Sequence, residues 1–118
     1  MHTEELKQLS KDLAANRRGW DDESVQRTLD AMRKDRNFTV LADLTEKCAR
    51  YRPNDSTLRR LQAQALIETG QPATAISVIE AVRAQLADGD LELPELQGLL
   101  GRAYKQILVE AQGASAET

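Results

Sequence analysis

Few residues in this sequence could take part in chemistry, and the first group is an acidic run in a predicted loop. Asp88, Asp90 and Glu92 alternate along the chain, as calcium ligands do. A calcium-binding loop also needs further oxygen ligands, a glycine at its sixth position and a glutamate at its twelfth, which are missing here. The alternative is a solvent-exposed connection whose carboxylates cap a helix. We therefore expect no metal site and no other cofactor.

The single histidine and the single cysteine do not form a catalytic group. His2 lies at the N-terminus, without sequence neighbours that would make it a metal ligand or a general base. Cys48 falls on the apolar side of a predicted helix, which predicts a buried, structural thiol. Neither Gly98 nor Gly101 leads into the Gly-Lys-Ser/Thr of a phosphate-binding loop. The sequence thus predicts that the chain is not an enzyme.

Composition favours one all-α domain and excludes several classes of partner. Hydrophobic residues make up 41% of the 118 residues and aromatic residues only 3%, so the core is mostly leucine, alanine, isoleucine and valine. The net charge of −3 offers no bulk attraction to nucleic acid or to an anionic membrane. Neither a long apolar run nor a basic-then-apolar leader is present, so we expect a cytoplasmic protein.

The clearest element is a helix–turn–helix hairpin over residues 53–89. Pro53 ends one helix, and the side chain of Asp55 or Ser56 can cap the next. Gly70 and Pro72 separate the two helices of the hairpin. Apolar residues recur at spacings of three and four in both helices. They are Leu58, Leu61, Ala65 and Leu66, and then Ala75, Ile76, Val78, Ile79, Val82 and Leu86.

This hairpin repeats with a period of 34 residues, which defines two units at 22–55 and 56–89. In this register Gly70 of the second unit corresponds to Arg36 of the first. A further helix begins near Pro94. Because a two-helix hairpin cannot bury its own apolar faces, the units must stack on one another.

The period and the layout resemble the tetratricopeptide repeat over about residues 22–111. In the second unit the resemblance rests on Ala63, Gly70 and Ala75, at the small, turn and close-crossing positions. In the third it rests on Leu100-Gly101 and Tyr104, the family's Leu-Gly…Tyr spacing, whereas the first unit lacks the turn glycine. The resemblance implies a right-handed α-solenoid of about six antiparallel helices.

We predict a single domain over residues 1–111, followed by a tail. A capping helix spans residues 3–16, and two repeats span residues 22–55 and 56–89. The start of a third repeat spans residues 94–111, and the disordered tail spans residues 112–118. Trp20 is expected to pack between the first two helices.

A narrower likeness lies at residues 98–105, Gly-Leu-Leu-Gly-Arg-Ala-Tyr-Lys. This run is similar to a signature in the helical-repeat, adaptor-binding region of stress-activated MAP kinase kinase kinases and related bacterial proteins. The likeness implies a scaffold or regulatory region. Two hypotheses follow: a non-catalytic protein–protein interaction module, or a regulatory or sensor segment of a larger signalling enzyme such as a kinase or a protease.

In stacks of this kind the first helix of each hairpin lines a concave groove. The groove positions in this register are Gln26, Asp30, Arg33, Arg60, Gln64, Arg102 and Lys105. Four of these seven are cationic and one is acidic, which suits an acidic or carboxylate-ended peptide. Gln26, Asp30 and Gln64 depart from the lysine and asparagine of tetratricopeptide clamps for chaperone C-termini, so that ligand is not expected. The alternative is that these charges only solvate the surface.

The last predicted helix has a wider apolar surface than one neighbour would cover. Tyr104, Ile107 and Leu108 therefore form a predicted association surface. Either the chain is a piece of a longer protein, or this surface meets a second molecule, for example in a homodimer. Both can hold together.

Overall fold

The computed structural model describes residues 3–17 and 23–117, and within these ranges the regular structure is entirely helical. The six helices are α1 (Thr3–Ala14), α2 (Glu23–Lys34), α3 (Phe38–Ala49), α4 (Ser56–Glu68), α5 (Pro72–Arg83) and α6 (Leu93–Glu117). The prediction of an all-α fold with about six helices is confirmed. The predictions for His2 and Trp20 concern residues outside the described ranges.

Local signals in the sequence account for the central hairpin of α4 and α5. The Asp55 carboxylate accepts a hydrogen bond from the Leu58 amide at 3.0 Å, which satisfies a free donor at the start of α4. Pro72 occupies the first turn of α5, where its missing amide hydrogen costs no helical hydrogen bond. The two helices therefore begin where the sequence predicts.

Three helices end in the same backbone turn, although only one of them has a glycine there. Asn16, Arg36 and Gly70 have φ angles of 55°, 58° and 78°, in the left-handed region. In each turn the next residue donates to a carbonyl five positions back, as Gln71 does to Leu66 at 2.8 Å. The repeat register, which pairs Arg36 with Gly70, thus locates the same turn in both hairpins.

Side-chain contacts accompany the unusual backbone of Arg36. Its guanidinium lies over the ring of Phe38, with Cζ 5.1 Å from the ring centroid. Arg36 Nη2 also donates to Glu68 Oε2 of α4 at 3.4 Å. These contacts offset part of the cost of a left-handed conformation in a residue with a β-carbon.

Replacing Gly70 with alanine is expected to lower the free energy of unfolding by about 1 kcal/mol. An added β-carbon would meet no atom within 4 Å, so the cost comes from the positive φ angle alone. Gly98→Ala is the matched control, because Gly98 lies inside α6 with equally open surroundings. The control should raise stability by up to about 1 kcal/mol. Urea unfolding measures the free energy of unfolding of both variants. An equal change in the two would contradict the explanation that the positive φ angle of Gly70 causes the loss.

The buried side chains form two clusters, and α4 contributes to both. Leu58, Leu61 and Ala65 of α4 belong to the first cluster, with residues of α1, α2 and α3. Ala63, Leu66 and Ile67 of α4 belong to the second cluster, with residues of α5 and α6. The helix α4 therefore packs between the two clusters and contributes buried side chains to each of them.

The helix α1 packs on α3 at the N-terminal end of the stack. Its Leu9 and Leu13 are buried in the first cluster, and Leu6 packs against it. The Tyr51 hydroxyl, in the connection after α3, donates to the Ala14 carbonyl at 3.1 Å. The end of α1 is therefore fixed to the loop that precedes α4.

The last helix is longer than its sequence suggests. We predicted an end near Ala111 and a disordered tail over 112–118, but α6 is 25 residues long and continues to Glu117. This segment contains alanine and glutamine, which favour helix, and only Gly113 opposes it. Within the described ranges, no helix is both long enough and apolar enough to cross a membrane.

Candidate protein-binding surfaces

Four of the seven predicted groove residues line one cavity of about 350 Å³ between α2 and α4. Gln26, Asp30 and Arg33 come from α2, and Arg60 comes from α4. Sequence reasoning did not identify the other lining residues, Thr57 and Leu61 of α4. Because one of these six side chains is acidic and two are cationic, the cavity can accept a polar segment with an acidic group.

The arginines of the groove are all paired with carboxylates of the same chain. Arg33 Nη2 lies 2.9 Å from Asp30 Oδ1, and the Arg33 and Lys34 side chains together hold the pKa of Asp30 below its usual value. The other two pairs join Arg60 Nε to Glu92 Oε2 at 2.7 Å and Arg102 Nη2 to Glu68 Oε1 at 2.6 Å. An incoming acidic ligand must compete with these carboxylates.

The two remaining predicted groove residues of α6 face a different depression, of about 520 Å³. Arg102 and Lys105 line it together with Ile67 of α4 and Val109 of α6. Among the described residues Lys105 has no ion-pair partner, in contrast to the groove arginines. Gln64 is half-buried on α4 and lines neither cavity. The predicted groove is therefore divided into two parts.

The second candidate surface is the open face of α6, formed by Leu100, Gly101, Tyr104, Ile107 and Leu108. Tyr104 and Leu108 are 53% and 58% exposed, and Leu100 and Ile107 are half-buried. A β-carbon added at Gly101 would meet no atom within 4 Å. The predicted association residues Tyr104, Ile107 and Leu108 thus lie on one apolar stripe, because they are spaced at three and four positions.

A comparison of α6 with α4 explains why the open face of α6 is exposed to solvent. When Gly101 is matched with Ala63 at the family's small position, Tyr104 matches Leu66. Ala63 is fully buried and Leu66 is 7% exposed, because both pack in one cluster with residues of α5. The equivalent side of α6 has no such helix among the described residues. Within the part of the chain that the structure describes, this side of α6 is therefore not covered as the equivalent side of α4 is covered by α5.

Comparison with protein-family models matches residues 37–118 to TPR-S, Tetratricopeptide Repeats-Sensor. The chain belongs to the TPR-S family. The matched residues cover α3 to α6, more than half of the chain, and confirm the relationship to tetratricopeptide repeats. Comparison with the curated proteins and with the solved structures finds no match.

The TPR-S match divides the candidate surfaces. The open face of α6 and the groove residues of α4 and α6 lie inside the matched range, as do Glu68 and Glu92. Gln26, Asp30 and Arg33 lie on α2, outside it. The family relationship therefore covers the open face in full and the groove only in part.

The reactive groups that the sequence singled out do not converge in this TPR-S chain. The Asp90 carboxylate accepts from the Glu92 amide at 2.9 Å, whereas the Glu92 carboxylate faces Arg60. Cys48 is buried, as predicted, and burial raises the pKa of its thiol from 9.0 to about 11. The thiolate is therefore rare at neutral pH. Among the described residues no group of three or more histidine, cysteine, aspartate or glutamate side chains could bind a metal ion.

Sequence reasoning missed the two carboxylates that occupy the groove arginines. Glu68 is the last residue of α4, and the longer connection after α5 shifts α6 out of the 34-residue register, so that Arg102 matches Gln64 and the register did not indicate this pair. Glu92 lies in the longer connection before α6, which has no equivalent in the first hairpin, so no register could place it beside Arg60. Both pairs link segments more than thirty positions apart.

Proposed function

We propose that this chain is a non-catalytic protein-interaction module whose open face on α6 receives an amphipathic helix of a partner protein. We place the chain in the cytoplasm, where disulfides are rare, because its single cysteine is a free thiol. Tetratricopeptide-type repeats in general bind proteins or peptides, which supports the class of function. The apolar character of the open face indicates that the partner is an amphipathic helix.

The observation that carries the proposal is the difference between α4 and α6. Ala63 and Leu66 of α4 are buried in one cluster with Ala75 and Val78 of α5. The matching side of α6 presents Gly101, where a helix backbone can approach closely, and Tyr104, which offers a large contact area. A partner helix with small and β-branched residues, like those of α5, fits this face.

Leu108→Glu is expected to weaken helix binding at the open face at least 10-fold, because it places a charge in the apolar contact. The probe is a synthetic peptide of residues 70–87, which contains α5. Its binding is followed by backbone amide shifts in a titration of the labelled protein. The shifts should concentrate at the residues of the open face.

Leu91→Glu is the matched control, since Leu91 is 93% exposed and lies outside the open face. Sedimentation equilibrium of the same proteins determines whether the partner is a second copy, as in the predicted homodimer. A dimer that Leu108→Glu converts to a monomer would identify the occupant as this chain. A monomeric wild type whose α6 amides do not respond to the peptide would refute the proposal.

A second candidate function is the binding of an acidic peptide in the groove. It is favoured by the cavity that brings Gln26, Arg33 and Arg60 together. The paired carboxylates argue that such a ligand binds by exchange and not by simple attraction to free cations. Arg60→Glu and Arg102→Glu would then weaken the binding of an acidic peptide.

Either binding mode is compatible with a regulatory or sensor segment of a larger signalling enzyme, the alternative that the sequence leaves open. The description of the matching family as a sensor supports this alternative. In that setting the partner of the open face would be a helix of the same protein. The full-length reading frame decides between the two settings.

A further inference from the structure

We propose that Thr57 and Arg60 form a binding site for a peptide carboxylate, and that Glu92 of the same chain occupies this site until an acidic ligand displaces it. The inference rests on the second candidate function, the binding of an acidic peptide in the groove. It adds a defined contact and a built-in competitor.

The carboxylate of Glu92 is held as a ligand carboxylate would be. Arg60 Nε donates to Glu92 Oε2 at 2.7 Å, and Thr57 Oγ1 donates to Glu92 Oε1 at 3.2 Å. The two donors lie three positions apart on α4, on neighbouring turns of one face. One carboxylate therefore uses both oxygens, and the bond to arginine is charge-assisted.

The two residues that hold the Glu92 carboxylate also line the groove. Thr57 and Arg60 line the cavity of about 350 Å³, together with Gln26 and Arg33 of α2. A peptide in this cavity lies against Thr57 and Arg60, the two residues whose side chains bind Glu92. Its neighbouring polar atoms would meet the amide of Gln26 and the guanidinium of Arg33.

The position of Glu92 allows its side chain to leave without unfolding the chain. The side chains of Glu92 and Arg60 are 23% and 29% exposed, so water and a ligand can reach both. The backbone of Glu92 is held separately. Its amide donates to Asp90 Oδ1 at 2.9 Å, and its carbonyl accepts from the Leu96 amide at 3.0 Å. Loss of the carboxylate contact thus leaves the start of α6 in place.

A tethered competitor reduces the apparent affinity for a free ligand. A carboxylate of the same chain acts at an effective concentration in the millimolar range. The Glu92 carboxylate must therefore leave Thr57 and Arg60 before a ligand can bind to them. Removing the charge of Glu92 while keeping its size, as in Glu92→Gln, should therefore tighten the binding of an acidic peptide about 10-fold.

The test measures the binding of fluorescein-labelled hexaglutamate by fluorescence anisotropy, with labelled hexaglutamine as the neutral probe. Glu95→Gln is the matched control. It makes the same change in net charge at an exposed site in the first turn of α6, and Glu92, not Glu95, is the carboxylate that pairs with Arg60. We expect tighter binding for Glu92→Gln and unchanged binding for Glu95→Gln. Adding Thr57→Val and Arg60→Gln to Glu92→Gln should remove the gain.

The outcomes separate the inference from the function on which it rests. Equal hexaglutamate affinity in the wild type, Glu92→Gln and Glu95→Gln would overturn the exchange at Thr57 and Arg60, while the groove would still bind acidic peptides. No preference for hexaglutamate over hexaglutamine in any variant would overturn both. If Glu92→Gln lowers the melting temperature, the Arg60 Nε–H resonance of the wild type provides the measurement. It should shift on titration with hexaglutamate, and a fixed resonance at saturation would overturn the exchange.

Discussion

Replacing Leu58 with alanine is expected to lower the free energy of unfolding by about 3 kcal/mol. Leu58 is fully buried in the first turn of α4, in the cluster that also contains Leu41 and Leu44 of α3. The substitution removes apolar contacts and leaves a cavity that rigid helices cannot collapse around. The midpoint of thermal unfolding should fall by about 10 °C, as measured by circular dichroism.

Leu91→Ala provides the matched control for this prediction. It is the same chemical change at a side chain that is 93% exposed. Its effect should stay within about 0.5 kcal/mol. A similar loss for both variants would mean that Leu58 does not contribute to a packed core, and the two-cluster description would be wrong.

Ala75→Leu is expected to cost about 2 kcal/mol, for the opposite reason. Ala75 is fully buried on α5, in one cluster with Ala63 of α4. Two small residues let the helices of the hairpin approach closely, so a larger side chain would force them apart. Urea unfolding should show a lower midpoint with an unchanged slope.

Ala73→Leu tests whether the loss comes from the buried position of Ala75 or from placing a leucine in α5 at all. Ala73 lies on the same helix, but it is exposed, so a leucine there has room. The control should change the free energy of unfolding by less than about 0.5 kcal/mol. If Ala75→Leu were equally harmless, the close crossing of α4 and α5 would be refuted.

The hairpin of α4 and α5 was predictable because its signals are local. Asp55, Gly70 and Pro72 each act on the backbone within a few positions of themselves. The turn at Arg36 has no such local signal. It was predicted only through the 34-residue register, in which Arg36 corresponds to Gly70. Arg36 adopts the same left-handed backbone conformation, although a residue with a β-carbon disfavours it.

The charge pairs of the groove were not predictable in the same way. The register indicates that Arg60 and Arg102 face the concave side, but the pairing depends on side-chain positions across different elements. Glu92 reaches Arg60 only because the connection after α5 folds back over α4. The end of α6 was missed for another reason, since Gly113 is a weak breaker and no proline follows it.

The position of α4 between the two clusters affects how the molecule comes apart. In many repeat proteins each unit meets only its nearest neighbours, and the ends can fray while the middle stays folded. Here opposite sides of one helix complete both halves of the interior. If α4 unravels, neither half keeps its lining, so partly melted forms should be scarce. Amide hydrogens of α3 and of α5 should therefore exchange with solvent at closely similar, slow rates.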